Sequence, residues 1–438
     1  MRILFGRNKR EHFFKNINFY ERIDYMKSTP VEGMKDYLPE ENALREELIR
    51  KITGVYTENG YRRITTPIVE TLENLDNSDG GENLKLIYRI EKRGEKLEKA
   101  LAEGDAKKLC DLGLRYDLTL PLARYYTAHS AELPVPFKVI QVDRVYRAER
   151  PQKGRMREFM QCDIDILGSE SLDCEAELMT VTAEALRVIG IGAFHIAVNH
   201  RAVIRAVILA CGFPEDRVDS VCISMDKLDK IGADGVKAEL LEKGFAAESV
   251  EKLTEILSNP PKTAEELKNT GVGEAADELF GVIEAAKALS DGKYDVCFEL
   301  TLVRGQGYYT GTVFEVISDE FGGTVAGGGR YDGLIGRFTG KDVPAVGFSI
   351  GFERIFSVLT ERGARSEGKA RAAVLYEEGS FPDAFKRSRE LLNEYHVTLL
   401  PMKKKLGKQF SQLEQQGFSC AVVYRGEEAE VRKLGEER

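Results

Sequence analysis

The 438-residue sequence contains no tryptophan and only five histidines, and its seven cysteines include no CxxC pair. The missing CxxC spacing excludes a zinc ribbon, and the histidines show neither HExxH nor another paired spacing. No apolar run approaches the length of a membrane span, which predicts a protein without membrane contact. Scattered cysteines of odd number, without an export-signal pattern, are typical of reduced thiols and predict a cytoplasmic location.

Two common nucleotide-binding motifs are also missing. The chain has no GxxxxGK[ST] loop and no GxGxxG at a strand-to-helix turn, so a nucleotide would need another solution, such as arginines on a sheet. The net charge of −9 argues against a general nucleic-acid coat protein, while local basic patches remain compatible with a structured RNA. Hydrophobic residues make up 42% of the chain and charged residues 31%, a composition typical of globular domains.

Residues 138–166, KVIQVDRVYRAERPQKGRMREFMQCDIDI, predict two strands joined by a turn at residues 151–154. Because successive strand side chains point to opposite faces, the second strand has one mostly apolar face and one polar face. The polar face carries Arg155, Arg157, Phe159, Gln161, Asp163 and Asp165.

This pattern has two interpretations. One is an antiparallel hairpin with a single wet face. The other is a floor for a planar, polyanionic ligand. Arginines would then bind phosphates, Phe159 would stack on a base, and Gln161 with Asp165 would hold an amine.

Two glycine-rich stretches carry further candidates. LVRGQGYYTGTVFE, residues 302–315, places Arg304 between apolar residues and glycines, which let a ligand approach closely. The adjacent Tyr308 and Tyr309 can supply hydroxyls to a ligand or belong to the core. AGGGRYDGL, residues 326–334, is a second glycine cluster.

GFSIG at residues 347–351 matches the GxSxG nucleophile pattern, and Asp383 and His396 follow Ser349 in the order found in hydrolases. The rival interpretation is that the two glycines let a ligand lie against the strand. Arg354, in the first turn of the following helix, would then reach a terminal phosphate.

The domain organisation follows from changes in character along the chain. Residues 1–25 are basic and aromatic and are interpreted as an extension of unknown role. We expect an α+β catalytic domain with an antiparallel sheet from residues 26–199 and 293–365, interrupted by a helical insertion at residues 200–292. In residues 370–438 strands alternate with helices, which predicts a small α/β domain with a largely parallel sheet.

Several of these stretches resemble class II aminoacyl-tRNA synthetases. VYRAERPQKGRMREF looks like motif 2 of that class, AVGFSIGFERIF like motif 3, and YRRITTPIVE with Pro67 like motif 1, which forms the dimer interface. LVRGQGYYTGTVFE and AGGGRYDG resemble two signatures peculiar to histidyl-tRNA synthetases, in a form close to the eukaryotic-like branch. The resemblance covers roughly residues 30–435.

This resemblance implies a homodimeric enzyme that binds ATP, L-histidine and tRNA(His), with no DNA partner. It would activate histidine to histidyl-adenylate and transfer it to the 3′ end of the tRNA, and residues 370–438 would bind the anticodon. The substrate carboxylate attacks phosphorus itself, so alignment and charge stabilisation supply the catalysis and scarce histidines are no obstacle. Mg²⁺ would accompany the phosphates, with no protein side chain assigned to it.

The resemblance also implies roles for individual residues. Arg304 and Arg147 would be catalytic, on opposite sides of the α-phosphorus. The residues implied to bind ATP are Arg147, Glu149, Arg155, Phe159 and Arg354. Those implied to bind histidine are Asp117, Thr119, Gln161, Asp165, Tyr308 and Tyr309. Gln152 and Lys153 in the hairpin loop would approach the acceptor end of the tRNA.

The sequence departs from the family pattern in two places. Gln306 and Gly307 replace the Leu-Asp pair of the usual RGLDYYTG, and the last domain stops at VRKLGEER, where relatives usually continue. A second interpretation is the synthetase-like regulatory subunit of ATP phosphoribosyltransferase. Such paralogues usually lose catalytic arginines and the anticodon-binding domain, whereas this chain keeps Arg147, Arg304 and Arg354.

Overall fold

The computed structural model describes residues 27–78, 81–152, 154–268, 272–303, 307–425 and 428–435. The predicted extension, Lys153, Arg304 and Gln306 lie outside these described residues. No helix within the described ranges is both long and apolar enough to cross a membrane.

The described residues form fifteen strands. In chain order they are β1 (Arg62–Arg63), β2 (Val69–Thr71), β3 (Arg89–Glu91), β4 (Cys110–Leu114), β5 (Phe137–Tyr146), β6 (Glu158–Leu167), β7 (Phe194–His200), β8 (Asp295–Phe298), β9 (Thr312–Ser318), β10 (Gly323–Arg330), β11 (Ala345–Gly351), β12 (Ala370–Tyr376), β13 (Tyr395–Pro401), β14 (Cys420–Arg425) and β15 (Glu428–Lys433).

The α-helices of the same residues are α1 (Pro39–Glu58), α2 (Leu72–Asp76), α3 (Glu95–Glu103), α4 (Thr119–His129), α5 (Asp173–Val188), α6 (Arg201–Ala210), α7 (Val218–Met225), α8 (Leu228–Glu242), α9 (Ala247–Ser258), α10 (Ala264–Lys268), α11 (Glu274–Ser290), α12 (Asp332–Thr339), α13 (Phe352–Glu361), α14 (Phe381–Ser388) and α15 (Leu406–Gln415).

An eight-stranded sheet in the order β1-β5-β6-β11-β10-β9-β7-β8 forms the centre of the molecule. Its six inner strands are antiparallel to one another, and the edge strands β1 and β8 pair in parallel with β5 and β7. Helices α1, α5 and α13 contribute to the hydrophobic core that covers one face. The opposite face of the central strands carries the polar residues of β6.

The β5–β6 hairpin follows the predicted alternation on its apolar side. Cys162, Ile164 and Ile166 point into the main core and are completely or almost completely buried. The expectation of a wet opposite face is wrong for the inner half of β6, because Asp163 and Asp165 are only 4% and 3% exposed. These carboxylates are therefore buried among polar groups of the protein and are not exposed to solvent.

Helices α6–α11 follow β7 and precede β8, in the stretch where the sequence predicts a helical insertion, and the assignment of that stretch as a domain stays a prediction. Their apolar faces join the main core rather than forming a separate one. A second sheet, in the order β13-β12-β14-β15, has three parallel strands and one antiparallel edge strand. The α+β fold with a C-terminal α/β unit that the sequence predicts is confirmed.

Candidate active site

A cleft of about 470 Å³ lies over the polar face of the central sheet. Its floor comes from β6, β9, β10 and β11, and its walls include the residues around the start of α4 and the β5–β6 hairpin loop. Across these strands Asp163, Ser349, Gly327 and Glu315 are successive register partners. Side chains in such a row point to the same side of a sheet, so glycine at position 327 leaves space for a ligand.

One end of the cleft carries arginines and an aromatic ring. The Arg147 guanidinium lies 5.1 Å from the centroid of the Phe159 ring, and its Nε donates a hydrogen bond to the Tyr116 carbonyl oxygen at 3.0 Å. Arg155 Nη1 lies 3.6 Å from Glu149 Oε2. The Phe159 ring and the two arginines thus lie at the same end of the cleft, an arrangement suited to a purine base and its phosphates.

Arg354 approaches the same end from α13. Its Nε donates to the Gly154 carbonyl at 3.4 Å and its Nη1 to the Thr324 carbonyl at 2.5 Å. Burial lowers the pKa of Arg354, and the nearby positive charge of Arg155 lowers it further. An anion bound here would relieve this repulsion between cations, so this end of the cleft favours phosphate.

The other end is acidic. The Tyr308 hydroxyl lies 3.3 Å from both Asp117 Oδ2 and Thr119 Oγ1, and the Leu120 backbone N–H donates to Asp117 Oδ1 at 3.3 Å. Burial raises the pKa of Asp117 to about 6, and the Leu120 N–H and the charge of Arg147 oppose that rise. A buried carboxylate of this kind gains from a bound cationic group.

Gln161 and Asp163 extend this acidic end along β6. Gln161 Nε2 donates to Ser349 Oγ at 2.8 Å, which leaves its Oε1 as a free acceptor. Gln161 Oε1 and Asp163 Oδ1 are buried and have no hydrogen-bond partner among the described residues. The sequence prediction omitted Asp163 from the site, although its position between Gln161 and Asp165 on one strand face was the signal that could have found it.

Asp165 lies one step further along the strand. Its Oδ1 accepts a hydrogen bond from the Tyr331 hydroxyl at 2.6 Å, and it is not among the residues that line the cleft in the described structure. Burial raises its pKa to about 7. Tyr309 lines the cleft with its ring against Tyr308, at 5.2 Å between centroids. The predicted contact of Asp165 with an amino acid stays a prediction.

The hydrolase interpretation is wrong. Ser349 lies within β11 and its hydroxyl accepts from Gln161, whereas a nucleophile elbow would place it at the turn after the strand. Asp383 is on α14 and His396 on β13, both in the unit built around the second sheet. The structure therefore does not bring the three residues together.

The hairpin loop is closed by a short backbone bridge. Gln152 and Arg155 exchange backbone hydrogen bonds of 3.1 and 2.9 Å, and the Gln152 side chain is exposed. Lys153 belongs to this loop and Arg304 to the segment before Tyr308, and both lie outside the described residues.

A further acidic residue faces the arginine end and was not predicted. Glu315 on β9 lines the cleft and accepts a hydrogen bond from Thr324 Oγ1 at 2.6 Å. Among the described residues no group of three or more histidines, cysteines or carboxylates is arranged to hold a metal ion. A single carboxylate beside a phosphate site still suits Mg²⁺, which is commonly held by one or two carboxylates plus substrate phosphates.

An antiparallel sheet beneath a cleft with arginines and an aromatic ring at one end is the arrangement of class II aminoacyl-tRNA synthetases. A family model described as histidyl-tRNA synthetase matches residues 33–355. The chain belongs to the histidyl-tRNA synthetase family, whose members use ATP.

Individual relatives agree with this assignment. A histidine–tRNA ligase from Leifsonia xyli subsp. xyli is 46% identical over 347 residues, which cover 76% of this chain and 80% of the relative. The crystal structure of histidyl-tRNA synthetase from Nostoc sp. PCC 7120 matches with a TM-score of 0.76 and 29% identity, over 93% of this chain and 95% of that one.

A third match concerns the fold alone. It is a structure described as an ATP phosphoribosyltransferase regulatory subunit/histidyl-tRNA synthetase from Bacillus halodurans C, with a TM-score of 0.75 and 21% identity. It covers 92% of this chain and 100% of that chain.

Proposed function

We propose that this protein activates L-histidine with ATP to form histidyl-adenylate, and then transfers the histidyl group to the 3′ end of tRNA(His). The observation that carries the proposal is the opposite polarity of the two ends of one cleft. Arg147, Arg155 and Arg354 meet at one end, and Asp117 and Gln161 lie at the other. A triphosphate and an amino acid ammonium group fit these two ends.

At the arginine end, Phe159 stacks on adenine and Glu149 binds its amino edge. Arg147 holds the α-phosphate, and Arg155 and Arg354 hold the β- and γ-phosphates. Mg²⁺ would be held by Glu315 together with the phosphates, where it would neutralise phosphate charge. The support is that all of these side chains line the same cleft.

At the acidic end, Asp117, Thr119 and Gln161 bind the α-ammonium group. Tyr308, Tyr309 and Asp165 surround the imidazole. Hydrogen bonds to both imidazole nitrogens would reject apolar analogues by about four orders of magnitude, so no editing site is required.

The reaction itself is a displacement at phosphorus. An oxygen of the histidine carboxylate forms a bond to the α-phosphorus, the bond from that phosphorus to the bridging oxygen breaks, and pyrophosphate leaves with the electron pair. Arg147 and Arg304 stabilise the charge that develops on the phosphoryl oxygens. Loss of one such donor commonly raises the barrier by about 3–4 kcal/mol.

Two surfaces support binding of tRNA. Gln152 and Lys153 in the hairpin loop approach the acceptor end. In the unit formed by residues 370–438, Phe381 and Phe385 are exposed large aromatics on α14, and Arg389 lies 6.0 Å from the Phe385 ring. Exposed aromatics beside cations are suited to unpaired bases, so we assign the anticodon to this unit.

We further propose a cytoplasmic homodimer whose interface includes the motif 1 region. Ile68, Val69 and Leu112 are exposed hydrophobic residues on and beside the three-stranded sheet β2-β4-β3. Partly exposed apolar residues gathered on one small sheet are suited to burial against a second copy. Sedimentation equilibrium of the purified protein tests this assembly.

Histidine-dependent ATP–pyrophosphate exchange tests the activity. We expect exchange that requires L-histidine, and loss of exchange in Arg304→Ala with an unchanged circular dichroism spectrum. Arg205→Ala, at an exposed arginine on α6, is the matched control and should exchange at the normal rate. A wild-type protein without any exchange would favour the regulatory-subunit interpretation.

A further inference from the structure

Two aspartates on the same face of β6 differ in their partners. Asp165 accepts a 2.6 Å hydrogen bond from Tyr331, whereas Oδ1 of Asp163 is buried and has no partner among the described residues. A buried acceptor without a donor costs about 1–3 kcal/mol, so such an atom calls for an explanation. Asp163 lines the cleft, which means that a ligand can supply the missing donor.

Gln161 presents a second acceptor of the same kind. Its amide is oriented because Nε2 donates to Ser349 Oγ at 2.8 Å, and its buried Oε1 has no donor among the residues that the structure describes. Ser349 is the cross-strand register partner of Asp163, and its hydroxyl lowers the pKa of that carboxyl group. Gln161 and Asp163 thus present two buried acceptors on one strand face.

We propose that Asp163 is a further amino-acid-binding residue, and that its Oδ1 accepts a hydrogen bond from the α-ammonium group of the substrate. An ammonium group has three N–H donors, and Asp163 adds a buried carboxylate acceptor to Asp117, Thr119 and Gln161 at this end of the cleft. This inference rests on the proposed function and adds a residue that neither the sequence motifs nor the family resemblance assigned.

The charges around Asp163 favour a cation over other groups. Besides burial, the carboxylates of Asp165 and Asp117 raise the pKa of Asp163 by their negative charge. Among the described residues, the positive charge of Arg147 lowers it. Burial and the charge of Asp165 raise the pKa of Asp163, which a bound ammonium group would lower again. A carboxylate or phosphate at this position would instead meet like charge.

Three ligands of the full-length protein separate this role from its alternatives. L-histidine carries the amine, the imidazole and the carboxylate. L-histidinol keeps the amine and the imidazole, and imidazole-4-propionate keeps the imidazole and the carboxylate without the amine. Affinities are measured by isothermal titration calorimetry, or as inhibition of exchange, for the wild type, Asp163→Asn and the exposed control Asp216→Asn.

We expect Asp163→Asn to weaken histidine and histidinol about ten- to a hundredfold, as for a hydrogen bond to a charged group, and imidazole-4-propionate less than twofold. The melting temperature without ligand should not fall, because Oδ1 has no hydrogen-bond partner to lose in the described part of the chain. Asp216→Asn should change none of these values.

Equal weakening of all three ligands would place Asp163 at the imidazole or in the structural frame, and would overturn the inference. Unchanged binding of histidine would overturn it as well, and so would a fall in the melting temperature of several degrees. The proposed function fails in a different way, through absence of histidine-dependent exchange in the wild-type protein.

Discussion

Arg45 on α1 and Glu353 at the start of α13 form a bidentate ion pair, and Glu353 lines the cleft next to Arg354. Nη1 lies 2.6 Å from Oε2 and Nη2 lies 2.8 Å from Oε1, and the two side chains are 8% and 10% exposed. Glu353 Oε1 also accepts from the Met160 backbone N–H at 3.2 Å. One carboxylate therefore joins α1, β6 and the helix that carries Arg354.

Arg45→Met should destabilise the protein by about 3–5 kcal/mol, because it leaves the Glu353 carboxylate buried without its cation. The free energy of unfolding from urea denaturation measures this effect. Lys35→Met is the matched control, since Lys35 and Glu41 form an exposed pair whose loss should cost at most about 1 kcal/mol. Similar losses in the two variants would show that the inner pair does not hold the helices together.

Adjacent glycines on β10 should respond to alanine in opposite ways. A Cβ at Gly327 would meet no atom closer than 3.6 Å and would point into the cleft. Gly327→Ala should therefore unfold with the same free energy as the wild type. Its KM for ATP or histidine should rise, because the added methyl group occupies space in the cleft. A Cβ at Gly328 would meet the Gly347 carbonyl oxygen, so Gly328→Ala should lose at least about 2 kcal/mol of stability. Urea denaturation and exchange kinetics on both variants check the contrast, and a destabilised Gly327→Ala would contradict it.

Local periodicity was enough to predict which side of β6 enters the core. Cys162, Ile164 and Ile166 are buried as the alternation predicts, because that signal depends only on neighbours along the strand. The burial of Asp163 and Asp165 could not be predicted in this way. It depends on strands and side chains from residues 308–349, such as Tyr331, whose hydroxyl reaches Asp165 across 166 positions of sequence.

The candidate active site also contains some residues that the sequence could identify and others that it could not. The family resemblance supplied Asp117, Arg147 and Arg354, which line the cleft. It did not supply Glu315, which is defined by what lies opposite it on the next strand. It did not supply Asp163 either, which only its position between Gln161 and Asp165 on one strand face marks in the sequence. The Arg45–Glu353 ion pair could not be predicted from the sequence either, because 308 positions separate the two residues.

Phe159→Leu should weaken ATP binding selectively. Its ring faces the cleft and lies 5.1 Å from the Arg147 guanidinium, and leucine keeps apolar volume but removes the flat stacking surface. Loss of about 1 kcal/mol of aromatic stacking should raise KM for ATP about fivefold and leave KM for histidine nearly unchanged. Exchange kinetics with each substrate varied in turn measure both values, and an equal rise in both would argue against adenine at this position.

Asp117 should make the stability of the ligand-free protein depend on pH. Burial raises its folded-state pKa to about 6, above the ordinary value of 3.8 that it regains on unfolding. The folded state therefore holds this proton more tightly, so the contribution of Asp117 to stability is complete below its unfolded pKa and is lost as the pH rises through 6.

Asp117→Asn removes that titration. Relative to this variant, the wild type should lose about 1 kcal/mol of unfolding free energy between pH 5 and pH 7.5, as the last unit of the shift is titrated. Urea denaturation of both proteins at the two pH values gives the difference directly, and the other titrating groups largely cancel. A difference that stays constant with pH would mean that Asp117 is already ionised in the folded protein at pH 5, and that Arg147 and the Leu120 N–H outweigh the burial of its carboxylate.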